Sequence, residues 1–240
     1  MSDLATRMQE ASVTATDEDG WLRLTTTVER PGIDVVTRAK LGLLYLETGF
    51  GHVHYDAANA CVRIAASLPA MNAPPKEDVL TAAFEHVVAL RQKVVTGEGD
   101  VRAQATDAVG SSDMPTLQDV ARAAGRALAL VPEKDSFVGG LREPKSGVEC
   151  ALRLHTPMPN IFAADAWMLP PKRTEPDVAL FDRLDAVNAA LPAGAMLLVP
   201  GESFIVYRWS CPYRWLSLEQ LEAPALAYTA LSAFMRWRSS

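Results

Sequence analysis

Residues 194–212 read Gly194-Ala195-Met196-Leu197-Leu198-Val199-Pro200-Gly201-Glu202-Ser203-Phe204-Ile205-Val206-Tyr207-Arg208-Trp209-Ser210-Cys211-Pro212. Two apolar runs rich in β-branched and aromatic residues flank Pro200-Gly201-Glu202, whose proline and glycine supply tight-turn chemistry. The stretch is therefore a hairpin of strands 195–199 and 204–210, entered through Gly194 and left through Pro212. The same punctuation occurs 143 positions earlier, where Gly51, Ser67 and Pro69 stand for Gly194, Ser210 and Pro212. Between them lie strand-like residues 52–56, a turn at 57–60 and a second strand at 61–67. A helix-like run precedes each hairpin, at 41–46 and 184–191. Identities are few, but helix, glycine, hairpin and proline keep one register without a gap, which marks an internal duplication. Leu22-Arg23-Leu24 recurs as Leu152-Arg153-Leu154, which extends the match upstream.

Helices close each half. Pro74-Pro75-Lys76-Glu77-Asp78 starts one, with acidic residues at the positive end of the helix dipole, and Val79, Ala83, Val87 and Leu90 follow at spacings of three and four. In the second half Ser217 and Gln220 form a capping box, and Pro224 restarts or kinks the helix that follows. A further helix over 116–130 opens the second half, with residues 4–11 as its counterpart. Each half thus reads helix, two or three strands, helix, hairpin, helix. Strands grouped between helices predict an α+β fold of two similar modules, each an antiparallel sheet with flanking helices. Residues 94–115, rich in Gly, Ser and Asp, form the linker between modules 1–112 and 113–240.

Apolar residues make up 49% of the 240-residue chain and charged residues 22%, enough for a sizeable core. The net charge of −6 leaves no basic footprint for nucleic acid. Three cysteines without a CxxC pair predict reduced thiols and a cytoplasmic protein. Met1–Glu10 has no apolar run of the secretory type, and no stretch is long enough to span a bilayer.

Phe181-Asp182-Arg183-Leu184-Asp185-Ala186-Val187-Asn188-Ala189-Ala190-Leu191-Pro192-Ala193-Gly194, with the hairpin that runs to Trp209, resembles the type III secretion chaperone-like fold and its YbjN-type relatives. In those proteins a helix with a Leu…Asn…Leu pattern leads through a glycine turn into a hairpin and a closing helix. The resemblance covers residues 116–240 and, more faintly, 1–93. It implies a non-enzymatic, chaperone- or adaptor-like role in holding a protein partner. Two modules in one chain depart from the family's single module, so a monomeric pseudo-dimer and a homodimer both remain open.

Strand alternation sorts the hairpin side chains by face. Ile205, Tyr207, Trp209, Met196 and Leu198 match Val62, Ile64, Ala66, Val53 and Tyr55 on the core face. The opposite face carries Ala195, Leu197, Val199, Phe204, Val206 and Arg208 in the second copy, against His52, His54, Asp56, Cys61, Arg63 and Ala65 in the first. Its apolar version must be covered by the other module, a further subunit or a client. Ala195, Leu197, Val199, Phe204, Val206, Arg208 and Trp215 are the candidate partner-binding residues. No cofactor is expected, because phosphate loops, dinucleotide fingerprints, HExxH and GxSxG are all missing. His52, His54 and Asp56 project to one face of a strand predicted to be solvent-exposed. They are the weak candidate for a metal site, and so for a metal-dependent small-molecule binder or enzyme. A structural subunit of a secretion or toxin-neutralising assembly is the third alternative.

Overall fold

The computed structural model of the protein describes residues 2–97, 115–169, 175–199, 204–217 and 223–239. The first half runs α1 (Ser2–Glu10), β1 (Thr14–Glu18), β2 (Trp21–Glu29), α2 (Val35–Thr48), β3 (His52–Asp56), β4 (Cys61–Pro69) and α3 (Glu77–Thr96). The second runs α4 (Leu117–Leu128), β5 (Val131–Glu133), β6 (Ser136–Arg142), β7 (Glu149–Met158) and β8 (Ile161–Met168). It continues with α5 (Val178–Ala189), β9 (Ala195–Leu198), β10 (Ile205–Pro212), a 3-10 turn at Tyr213–Trp215 and α6 (Ala223–Ser239). Every strand pairing is antiparallel, in sheets ordered β1-β2-β4-β3 and β5-β6-β7-β8-β10-β9. The fold is α+β, with two sheet-plus-helix modules.

The two hairpins share one register. His52 pairs with Ala65, Val53 with Ile64 and Tyr55 with Val62; their counterparts Ala195, Met196 and Leu198 pair with Arg208, Tyr207 and Ile205. The entry glycines also correspond, with φ of 74° at Gly51 and 66° at Gly194. A Cβ at Gly51 would approach the Ala65 carbonyl oxygen, and one at Gly194 the Arg208 carbonyl oxygen, which is the equivalent atom. Left-handed backbone favours glycine at both positions, and at Gly194 the oxygen, 2.5 Å from such a Cβ, excludes any side chain, whereas at Gly51 it is 3.4 Å away.

Upstream the match differs from the sequence expectation. β2 lies beside β4 with Trp21 opposite Pro69, as β8 lies beside β10 with Ile161 opposite Pro212. The counterpart of Leu22-Arg23-Leu24 is therefore Phe162-Ala163-Ala164, and Leu152-Arg153-Leu154 belongs to β7, one strand further out. Apolar–charged–apolar alternation recurs in any strand with one polar face, so it fixes no register. The second half also inserts four strands before its middle helix rather than two or three, because the β5–β6 hairpin extends the sheet.

The linker expected from residue 94 starts later. α3 continues to Thr96 with Val94 buried, and Gly97 ends it at φ 76° with its N–H on the Lys93 carbonyl. The remaining expected linker residues 98–114, the 200–203 turn and Gln220 of the capping box lie outside the described residues. α6 begins at Ala223, so Pro224 sits in its first turn, where a missing N–H loses no intrahelical bond.

One contiguous core serves both modules. Trp21 of β2 packs on Trp209 of β10 with ring centroids 5.1 Å apart. The Trp209 indole N–H donates to the Ser67 carbonyl at 3.1 Å. Phe50 meets Trp215 edge to face at 5.0 Å. The middle helices meet at the junction, α2 packing on β3 of its own module and also on β9, and α5 packing on both β9 and β3. Each module's central helix therefore packs on its own edge strand and reaches the edge strand of the other.

Candidate functional site

Two aspartates begin the helices that shape the junction. Asp34 accepts from the Thr37 N–H at 2.7 Å and Asp177 from the Leu180 N–H at 2.7 Å, as N-caps of α2 and α5. Both helices then run along the exposed edges of β3 and β9, which carry unpaired backbone groups. α5 satisfies part of each edge from one face. The Asn188 carboxamide accepts from the Met196 N–H at 2.7 Å and donates to the Met196 carbonyl at 3.0 Å, so it substitutes for a neighbouring strand on β9. One turn earlier, Asp185 Oδ1 accepts from the Tyr55 N–H on β3 at 3.2 Å. α2 contributes Tyr45, whose hydroxyl donates to the Arg208 carbonyl at 3.1 Å.

Between these elements lies a cavity of about 260 Å³. Leu43, Phe181, Leu184 and Met196 form its apolar wall, and Arg38, Tyr45, His52, His54, Asp185 and Asn188 its polar side. His52 and His54 are only 3% exposed, with rings stacked at 5.5 Å. His52 Nε2 and both ring nitrogens of His54 have no hydrogen-bond partner among the described residues. Burial, then the neighbouring His54 and Arg23, drive the His52 pKa well below the ordinary histidine value. Burial, then Arg23 and Arg63, lower that of His54 to about 3. Both imidazoles are therefore neutral at neutral pH.

Asp185 departs in the other direction. Burial raises its carboxyl to about 7, against the lowering influence of Arg38 and of the Tyr55 N–H. The Arg38 guanidinium is bonded to Asp182 and lies 3.7 Å from Asp185, so it only partly offsets the desolvation. Asp185 Oδ2 has no hydrogen-bond partner. Behind the histidines, Arg23 is buried with weak compensation. It donates to the Asn188 and Ala189 carbonyls at 3.4 and 3.5 Å, and its carboxylate partner Glu18 is 3.9 Å away. Desolvation lowers its pKa.

The structure relocates the residues singled out in the sequence. The strand face carrying His52 and His54 was expected to be solvent-exposed, but both histidines are buried, because α5 of the second module covers that edge of the first sheet. Asp56 does not join them; Arg63 holds it at 2.6 Å and Asn59 at 2.8 Å. No three His, Cys, Asp or Glu side chains converge as a metal site among the described residues.

The apolar outer face of the second hairpin is also internal. Ala195 and Leu197 form a buried cluster with Tyr45, flanked by Leu46 and Val199. Val206 is buried and Phe204 half-buried. Trp215 is buried against Phe50 of the first module. Arg208 grips Asp165 of β8 with two bonds of 2.6 Å, and His155 and Arg153 approach the same carboxylate at 2.8 and 3.3 Å. Burial alone would raise the Asp165 pKa; the bonds from Arg208 and His155 outweigh it and hold the carboxyl well below its usual range.

Arg38, Tyr45, Asp185 and Asn188 had no role in the sequence-based site. Asp185 and Asn188 lie in the helix that carries the family resemblance, where their spacing reads as packing. Only the fold places a second edge strand against that helix. Comparison with protein families, curated proteins and solved structures finds no match.

Proposed function

We propose that this protein is a non-enzymatic binding protein whose ligand is a small molecule held between its two modules. The observation that carries this reading is the junction cavity, with two buried, unpartnered imidazoles on its wall. A desolvated polar atom without a partner costs about 1–3 kcal/mol, which a ligand that completes its hydrogen bonds recovers. The volume is somewhat under twice that of a cavity of about 150 Å³ that holds benzene, so it suits a molecule of about nine or ten non-hydrogen atoms. Burial of Ala195, Leu197 and Val206 moves the reading from an extended protein client to a small ligand, because the chain itself covers that face.

Two observations support binding over catalysis. The imidazoles have no carboxylate hydrogen-bonded to orient them, and the buried cysteines lie off the cavity wall, with burial raising the Cys150 thiol to about 12. The resemblance to secretion chaperones and YbjN-type proteins supports a binding role as well, with α2 and α5 both at the junction of an internal pseudo-dimer.

Gly42 gives the test. It lies on α2 at the cavity wall, and a Cβ there would meet nothing within 4 Å. Gly42→Leu fills the cavity without a clash at Cβ, and removing a mid-helix glycine favours the helix by about 1 kcal/mol. Organic molecules of the stated size should raise the Tm of the parent protein and leave that of Gly42→Leu unchanged. No response in either protein, or the same response in both, overturns the reading.

A further inference from the structure

We propose that the junction cavity takes a small organic anion with an apolar body, such as a monocarboxylate, its charge set against His52 and His54. This inference rests on the cavity reading above and names the ligand's chemistry. The apolar wall of Leu43, Phe181, Leu184 and Met196 accommodates a hydrocarbon tail. The charge preference comes from the opposite side. His52 and His54 are buried, and each has at least one ring nitrogen without a partner. Arg23 lies outside the cavity lining but bonds the carbonyl of Asn188, which lines it; it is 6% exposed, and its only carboxylate partner among the described residues is 3.9 Å away. A buried cation with so distant a counter-charge makes the histidine side of the cavity favourable to an anion and unfavourable to a cation. The same field opposes a divalent metal there. The remaining charged groups at the cavity do not reverse this sign. Arg38 is shared between Asp182 and Asp185, burial favours the neutral form of Asp185, and Arg63 and Asp56 neutralise each other.

An anion seated beside neutral imidazoles stabilises their protonated form. A gain worth one charge-assisted hydrogen bond still leaves His54, lowered to about 3, neutral at pH 6, so a neutral imidazole donates its N–H to the carboxylate and no bond is made or broken in the ligand.

The test uses the full chain and three probes of equal chain length: heptanoate, 1-heptanol and heptylammonium. The chain has only four histidines, so the imidazole ¹⁵N spectrum reports each one. Heptanoate should shift His52 and His54 and leave His86, bonded to the Phe50 carbonyl at 2.7 Å, and His155 in place. It should bind about tenfold more tightly than 1-heptanol, the ratio expected for one charge-assisted hydrogen bond, and heptylammonium should not bind. Equal affinity for heptanoate and 1-heptanol, both lost in Gly42→Leu, overturns the anion assignment and leaves the cavity reading standing. Binding of none of the three overturns both, and so do shifts confined to His86 or His155. Arg23→Met should bring the heptanoate and heptanol affinities together. If that variant unfolds, the ratio of heptanoate to 1-heptanol affinity and the His52 and His54 shifts in the parent protein decide.

Discussion

Replacing Asp185 with asparagine should stabilise the protein at pH 8 and leave it nearly unchanged at pH 4. Asp185 is 9% exposed, and its pKa rises from 3.8 to about 7 on folding. An acid with a raised folded-state pKa keeps its proton in the native state after the unfolded chain has released it. Its favourable contribution is therefore complete below pH 3.8 and is lost as pH rises from about 4 to about 7. At 1.36 kcal/mol per unit the loss is roughly 4 kcal/mol. Asparagine retains the acceptor for the Tyr55 N–H and cannot ionise, so Asp185→Asn avoids this loss. Urea denaturation followed by the fluorescence of the five tryptophans, between pH 4 and 8, measures the difference. The gap between variant and parent should open from near zero at pH 4 to as much as 4 kcal/mol at pH 8. Arg38 sets the competing outcome. If it held Asp185 as an ion pair, removing one partner would cost about 3–5 kcal/mol at pH 8. A variant less stable than the parent at pH 8, or a gap independent of pH, refutes the argument that desolvation outweighs Arg38.

The buried histidines impose the opposite slope. His52, His54 and His86 have depressed pKa values, about 3 for His54 and about 4 for His86. Their contribution is full above about pH 6.5 and falls as pH drops, by roughly 2 kcal/mol each at pH 5. The urea midpoint should therefore fall on acidification from pH 7 to 5, more steeply in Asp185→Asn than in the parent; a flat profile in both contradicts this. The two hairpin glycines should respond unequally to alanine. Left-handed backbone costs of order 1–2 kcal/mol at either, but the new Cβ lies 2.5 Å from the fixed Arg208 carbonyl oxygen at Gly194 and 3.0 Å from the movable Leu90 Cδ1 at Gly51. Gly194→Ala should be the more destabilising in urea melts, and the reverse order would dispute the packing at Gly194. Asp165→Asn leaves Arg208 buried without its counter-charge and should cost about 3–5 kcal/mol. Combining it with Arg208→Met should restore part of that loss in a double-mutant cycle, whereas additive losses would argue against coupling.

The sequence by itself determined what depends on local chemistry. Alternation divided the hairpin residues correctly, with Tyr207, Trp209 and Met196 in the main core and Ala195 and Leu197 in a separate cluster. Gly51 and Gly194 disclosed the repeated hairpin because both stand in left-handed backbone, which favours glycine wherever the hairpin sits. The tripeptide match at Leu22 and Leu152 misled because two-residue alternation has no unique register, and neighbouring strands alone distinguished β7 from β8. What covers each face was decided by the tertiary structure. His52 and His54 look like surface residues along their strand, and they become buried, neutral groups only because α5, more than a hundred residues later, packs on β3. Asp185 and Asn188 likewise look like the polar side of an amphipathic helix until two edge strands from different modules meet it. A residue's alternation fixes its side of a sheet, but the desolvation that gives it unusual chemistry depends on contacts distant in the chain.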